Sequence, residues 1–212
     1  MCPLTEKVVK GEAIAMPRRA IFGGTFNPIH CAHLEMACAA CEQFHLDEVV
    51  WVPTLAPHYK SQAAPFEHRL AMVEQAIAPY PQFTLAGLSA RFAIEIFTAL
   101  QQQKPDTHWF WLIGLDAFAT LPRWVDRHKL ASQCDWLIAP RGEPDKTQPQ
   151  IHRIERQLQA EGITLRWQML DRSPSPISSS LVRDRCQAIL PIAKLVPMPV
   201  QTYIQQHGLY RS

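Results

Sequence analysis

The sequence lacks several features that would fix its class at once. No apolar run approaches the roughly 20 residues of a membrane helix. Neither charge dominates: 21 Lys and Arg stand against 19 Asp and Glu in 212 residues, a formal +2. Such a balance argues against nucleic acid or an anionic membrane as partner, so an anion site must come from local clustering. Residues 1–18 carry Lys7, Lys10 and Arg18 but no apolar core of signal-peptide length. They read as a loose N-terminal extension, with Met16 as an alternative start, ahead of a single domain over residues 19–212. A cytoplasmic protein is the expectation.

Familiar motifs are missing as well. The dinucleotide fingerprint G-x-G-x-x-G, the phosphate loop G-x-x-x-x-G-K-[ST] and the zinc helix H-E-x-x-H are all absent. The six cysteines are Cys2, Cys31, Cys38, Cys41, Cys134 and Cys186. A reducing cytosol disfavours disulfides among them. Cys38-Ala-Ala-Cys41 has a redox or zinc spacing, but no second pair or neighbouring histidine pair completes a tetrahedral site. Cys31, Leu34, Cys38 and Cys41 fall on one helical stripe, which predicts small apolar side chains packed on a core.

What is present is a globular pattern, 47% hydrophobic and 19% charged. Short apolar runs predict strands at Ala20–Phe22, Val49–Val52, Phe83–Leu85, Trp109–Ile113, Trp136–Ala139 and Thr164–Leu170. Helices are predicted over His30–Phe44, Phe66–Ile77, Phe92–Gln103, Gln150–Glu161, Ser178–Leu190 and Val200–His207. The Pro-rich stretch Pro140–Pro149 reads as a flexible loop. Strands alternating with helices predict an α/β fold: a Rossmann-like, doubly wound parallel sheet with helices on both faces and a small C-terminal helical part. Ligands of such sheets bind at the carboxyl ends of strands. Chemistry should therefore lie after Phe22, Val52, Ile113 and Ala139.

Two segments carry that chemistry. Gly23 and Gly24 let backbone approach a ligand closely, and Thr25 adds a hydroxyl. His30 and His33 sit where a helix begins, three apart and so on one face, beside free N–H groups and the positive dipole end. Spacing alone leaves a phosphate turn and two surface histidines equally open. The second segment is Pro176-Ile177-Ser178-Ser179-Ser180-Leu181-Val182-Arg183. Serines at a helix start can cap it, and Arg183 one turn on can fork onto phosphate; taken alone, a capped helix is the simpler reading.

Gly23 through Leu34 resembles the signature of the nucleotidyltransferase superfamily that shares the H-x-G-H element. Its longer form, G-G-T-F-[DN]-P-[IV]-H-x-x-H-L, is that of the bacterial nicotinate-nucleotide adenylyltransferases. Ala32 departs from the usual Gly, and Asn27 stands for the commoner Asp. Ile177–Arg183 resembles the family's I-S-S-x-x-[IV]-R, about 150 residues downstream and in the family's order. Val52-Pro53 with Pro57-His58-Tyr59-Lys60 resembles I-P-x-x-x-P-x-H-K, and Arg69 with Met72 resembles the R-x-x-M that follows. Arg69 would orient the loop, touch the nucleotide or bridge at the core edge. Ile113-Gly114-Leu115-Asp116 resembles I-G-x-D, Pro122-Arg123-Trp124 resembles P-x-W, and Pro140-Arg141 resembles an arginine near ATP. The closing stretch from Val196 to Tyr210 resembles the family's last helix.

The resemblance implies transfer of AMP from ATP to nicotinate mononucleotide, giving deamido-NAD and pyrophosphate in NAD biosynthesis. It implies Mg²⁺ carried with ATP and no metal held by side chains. His30, His33 and Arg183 would be catalytic. ATP would meet Gly23, Gly24, Thr25, Phe26, His30, His33, Gly114, Asp116, Arg141, Ile177, Ser178, Ser179 and Arg183. The pyridine mononucleotide would meet Thr25, Asn27, Lys60, Trp124 and the Ala93 region. One departure bears on the base: the family's S-Y-T-x-x-T is replaced near Phe92, and both threonines become Ala93 and Ile96. Nicotinamide mononucleotide, another acceptor of the superfamily, or a non-catalytic nucleotide-binding module are the alternatives.

Overall fold

The computed structural model describes residues 16–55, 63–88, 90–142 and 144–211. Residues 1–15 of the extension expected from the sequence, and Lys60, lie outside the described residues.

Six strands form one sheet: β1 (Arg18–Gly24), β2 (Glu48–Pro53), β3 (Phe83–Leu85), β4 (His108–Gly114), β5 (Asp135–Ala139) and β6 (Trp167–Met169). Their order is β3-β2-β1-β4-β5-β6, and every neighbouring pair is parallel. The chain winds outward from β1 to β3, returns beside β1 as β4, and winds outward again. The reversal sets a topological switch point between β1 and β4, where doubly wound sheets take their ligands. Ala20, Ile21, Phe22, Val49, Val50, Trp51 and Phe110 through Leu112 are almost wholly buried. Runs this continuously apolar need cover on both faces.

Helices supply that cover. One face receives α1 (Cys31–Phe44), α2 (Phe66–Ile77), α7 (Ser179–Gln187) and α8 (Met198–Gln206). The other receives α3 (Ala93–Gln103), the short α4 (Leu115–Phe118), α5 (Arg127–Gln133) and α6 (Pro144–Gln159). The alternation along β1 divides the cores: Phe22 joins α1 and α8 in the first, Ile21 joins α3 and α6 in the second. Val182, Val200 and Ile204 belong to the first core. The C-terminal helices are thus part of the domain's own layer.

One expectation fails. The stretch expected to be a flexible Pro-rich loop is largely α6, which opens at Pro144 and carries Pro149 inside it. A helix tolerates proline at its first position, where the missing N–H has no partner anyway. Thr147, Ile151, Ile154 and Leu158, spaced by four, three and four, form its buried face. That burial outweighs the backbone hydrogen bond Pro149 forgoes. On α2 the buried stripe is Arg69, Met72, Val73, Ala76 and Ile77, and Leu70 lies off it. The cysteine stripe packs as expected: Cys38 and Cys41 lie against the first core, and burial pushes the Cys41 thiol up to about 12. Among the described residues no helix is long and apolar enough to cross a membrane.

Candidate active site

The loop leaving β1 is built around an aromatic plug. Phe26 has φ of 46°, a left-handed conformation costly for a bulky residue, and its ring is buried against Phe22, Trp51 and His33. A Cβ on Gly24 would lie 2.9 Å from that ring. Gly24 is therefore required first by Phe26, before any ligand arrives. At Gly23 a Cβ would make only ordinary contact with Trp111, at 3.4 Å. The Phe26 side chain belongs to the core, so only its backbone remains for a nucleotide. At the end of β4, a Cβ on Gly114 would meet nothing within 4 Å, which leaves an open space.

His30 caps α1 and His33 stands in its first turn. Their rings stack, with centroids 3.6 Å apart. The His30 backbone N–H donates to His33 Nδ1 at 3.2 Å. A backbone amide can only donate, so this bond keeps the lone pair on Nδ1 and the proton on Nε2. Burial, with no compensating acid, lowers the His30 pKa to about 4. His30 is thus neutral at neutral pH, and its buried Nδ1 has no hydrogen-bond partner. His30 offers a donor without bringing positive charge. The first N–H of α1, from Cys31, already donates to Leu195 O at 2.9 Å.

The positive charge comes from the second motif, which docks on the first. Ser178 caps α7 by accepting from Leu181 N at 3.1 Å. Ser179 Oγ donates to Pro28 O at 2.9 Å, and Arg183 Nη1 donates to Asn27 O at 2.8 Å. Arg183 Nη2 donates to Ser180 Oγ at 3.1 Å. Ile177, half-buried beside the first core, leads into the cap. Segments about 150 residues apart thus form one continuous surface at the switch point. The linker before α7 is itself tied down: Glu35 on α1 accepts from Ser175 N at 2.7 Å and from Ser175 Oγ at 2.9 Å.

Arg69 is almost wholly buried yet touches no described carboxylate. It donates to Thr25 O at 2.8 Å, Ala64 O at 3.0 Å and Leu55 O at 3.2 Å. Of the three roles the sequence left open, this geometry is that of loop orientation. Asn27 is 2% exposed, and its Oδ1 accepts from Ala64 N at 3.0 Å and from Tyr210 Oη at 2.8 Å. Sequence reasoning gave Tyr210 no role. Its partner lies 183 residues away, and no local pattern marks such a bond.

At the far side of the switch point Asp116 and Arg141 form an ion pair, both about two-thirds exposed. Trp124 is half-buried against the second core, with its indole edge-on to Trp111 and its Nε1 donating to Thr120 Oγ1 at 2.9 Å. A 3₁₀ turn over Leu121–Arg123 folds it back onto Trp111 and Trp136. Ile96 is a core residue, whereas Ala93 opens α3 half-buried. The structure thus brings His30, His33, Asn27, Ser179 and Arg183 together. Among the described residues no three His, Cys, Asp or Glu side chains converge as a metal site.

Residues 21–185 match the cytidylyltransferase-like family model. The chain is 42% identical, over 92% of its length and 98% of the relative's, to a probable nicotinate-nucleotide adenylyltransferase of Trichormus variabilis. To the protein of that same name in Gloeobacter violaceus it is 36% identical, over 91% and 96%. The fold is similar to that of the Plasmodium falciparum nicotinic acid mononucleotide adenylyltransferase, solved in complexes with APC and with NaAD. There the TM-score is 0.70 at 18% identity, covering 92% of this chain and 97% of that one.

Proposed function

Because the chain belongs to the cytidylyltransferase-like family and, within it, to the nicotinate-nucleotide adenylyltransferases, we propose how its residues divide the work of that reaction. It transfers AMP from ATP to nicotinate mononucleotide, giving deamido-NAD and pyrophosphate in NAD biosynthesis. An oxygen of the acceptor's 5′-phosphate attacks the α-phosphorus of ATP. The bond from that phosphorus to the bridging oxygen breaks in line, and the electron pair leaves with pyrophosphate. A phosphate monoester is already an adequate nucleophile, so no covalent intermediate is needed. Catalysis is positioning plus stabilisation of charge as it spreads over phosphate oxygens.

In this reading His30 and His33 donate from Nε2 to the oxygens of the centre being transferred. Arg183, with Ser178 and Ser179 at the start of α7, holds the leaving pyrophosphate, and Lys60 binds the pyridine mononucleotide. Asp116 takes the ribose of ATP, exchanging Arg141 for ribose hydroxyls. Gly23, Gly24 and Thr25 line the phosphate path, and Trp124 swings from the core edge to the pyridine. The docking of Arg183 and Ser179 on Asn27 and Pro28 carries this reading, since it makes two distant motifs one anion site.

A hard cation wants several oxygen ligands, and the described residues at this site do not make such a cage. We therefore assign Mg²⁺ to the ATP phosphates and water, as part of the substrate. We place the reaction in the cytoplasm.

One observation favours nicotinamide mononucleotide as a second acceptor. Glu95 Oε2 accepts from Arg91 N at 3.0 Å and Phe92 N at 3.1 Å, so a carboxylate already occupies the entrance of α3. The resemblance sets the pyridine ring beside that helix. A nicotinate carboxylate would face this anion and a carboxamide would not. Pyrophosphate release from ATP with each mononucleotide decides the matter. Turnover at least tenfold faster with nicotinate upholds the first reading, and release with neither acceptor defeats both.

A further inference from the structure

The segment after α8 returns to the first phosphate loop. After α8 the chain turns back at Gly208, whose φ is 59°, and Leu209 N donates to Ile204 O at 3.0 Å. Tyr210 follows, itself left-handed at φ of 62°. Its ring lies against the first core, and its hydroxyl donates to Asn27 Oδ1 at 2.8 Å. The second donor to that oxygen is Ala64 N, at 3.0 Å. A backbone amide only donates, so the orientation of the Asn27 carboxamide is fixed, with Oδ1 turned to Ala64 and Tyr210. The Asn27 backbone carbonyl meanwhile takes Arg183 Nη1 at 2.8 Å.

Asn27 is therefore a junction of three segments. One is the second phosphate motif, one is the stretch Ala63–Pro65 that leads into α2, and one is the C-terminal tail. Arg69 reinforces the same place through Ala64 O and Thr25 O. Both Arg69 and Arg183 lie near enough to Tyr210 to favour its ionised form, yet burial wins and holds the phenol protonated as a donor.

We infer that Tyr210 is a positioning residue for the transfer: through Asn27 it locks the first phosphate loop to the Ala63–Pro65 stretch on the acceptor side. Tyr210 reaches the first motif through Asn27. A phenyl ring alone would satisfy the core, and among the described residues the hydroxyl's partner is Asn27. The kinetic part of the inference rests on the adenylyl-transfer reading, whereas the structural part does not.

The test is a double-mutant cycle with Tyr210→Phe, Asn27→Ala and the pair. Tyr210→Phe keeps the ring and its packing, so it should melt close to wild type. Loss of one such hydrogen bond predicts about a fivefold rise in KM for the pyridine mononucleotide, with KM for ATP changed less than twofold. Hydrogen exchange at the Ala64 amide should accelerate by a similar factor. On the Asn27→Ala background the same substitution should add nothing to either readout. Wild-type acceptor KM and Ala64 exchange in Tyr210→Phe overturn the inference. So does an effect that persists undiminished on Asn27→Ala, because the hydroxyl would then act elsewhere. If the wild-type protein releases no pyrophosphate with any acceptor, the functional reading falls, and exchange at Ala64 alone decides the role of Tyr210.

Discussion

The two ends of the sheet handle positive charge in opposite ways. At the amino end Arg19, Lys104 and Arg166 meet acids, while Arg18 donates to Phe44 O and lies over the Phe110 ring. Glu48 accepts from Arg19, Lys104 and Thr84, and Asp135 accepts from His108 and Arg166. At the carboxyl end Arg69 and Arg183 are held by backbone carbonyls and a serine hydroxyl. The exposed Asp116–Arg141 pair is the exception there. A carbonyl fixes a guanidinium in place with a partial charge and leaves most of its field intact. A carboxylate cancels it. One end is thus neutralised and structural, while the other keeps a positive potential aimed at the switch point for an anion.

Substitutions at the two ends should separate activity from stability. Arg183→Ala and His33→Ala should each lower pyrophosphate release on the order of 100-fold or more. Their melting temperatures should stay within a few degrees of wild type. Near-normal turnover in Arg183→Ala would erase the contrast, since that side chain supplies the charge of the carboxyl end.

Acid separates the ends a second way. Burial lowers the His30 pKa to about 4 from 6.5. The unfolded chain then takes the proton first, so the His30 contribution is whole above pH 6.5 and is lost as pH falls towards 4. The full difference is on the order of 3 kcal/mol. At the amino end the Glu48 carboxyl is held below its ordinary value. Burial alone would raise its pKa, but hydrogen bonds from Lys104, Thr84 and Arg19 outweigh burial and hold it below 4.5. Its contribution is present above that value and fades beneath it. Denaturant unfolding across pH 3–8 should show His30→Gln flattening the upper window and Glu48→Gln the lower. A single shared window would mean the two ends are not electrostatically distinct.

The amino end should lose more stability than activity. Glu48→Ala leaves Arg19 and Lys104, both partly buried, without their acid. Removing one partner of such a network costs about 2 kcal/mol. Turnover measured well below the melting transition should remain within twofold of wild type. A large fall in kcat would show that the networks reach the site.

Legibility in the sequence follows the same division. The strands were readable because burial on both faces leaves an unbroken apolar run, as in Trp109–Ile113. The phosphate motifs were readable because Gly-Gly, paired histidines and a capped arginine helix are local patterns. Their docking was only implied by a resemblance, since Arg183 and Asn27 are 156 residues apart. The α6 start was hidden because prolines signal a loop unless a buried face at spacing four, three, four pays for them. For Arg69 the sequence left loop orientation, a nucleotide contact and a core-edge bridge open, and it is a buried clasp, because three carbonyls converge only after folding. Gly24 was read as room for a ligand, whereas the Phe26 ring fills that room first.

Gly114 gives the finest test of the carboxyl end. It ends β4 at the switch point, adopts φ of −77° that any residue accepts, and has nothing within 4 Å of where a Cβ would stand. Neither backbone nor packing therefore requires glycine. Gly114→Ala should change stability by no more than about 0.5 kcal/mol. If the space is kept for ATP, a methyl there should raise KM for ATP several-fold while KM for the acceptor is unchanged. Gly24→Ala is the matched control: its Cβ would lie 2.9 Å from the Phe26 ring, and overpacking there should cost about 1–3 kcal/mol. A Gly114→Ala enzyme with wild-type KM for ATP would mean the open space beyond β4 lies off the nucleotide's path, and would shift the ATP site towards β1 and α7 alone.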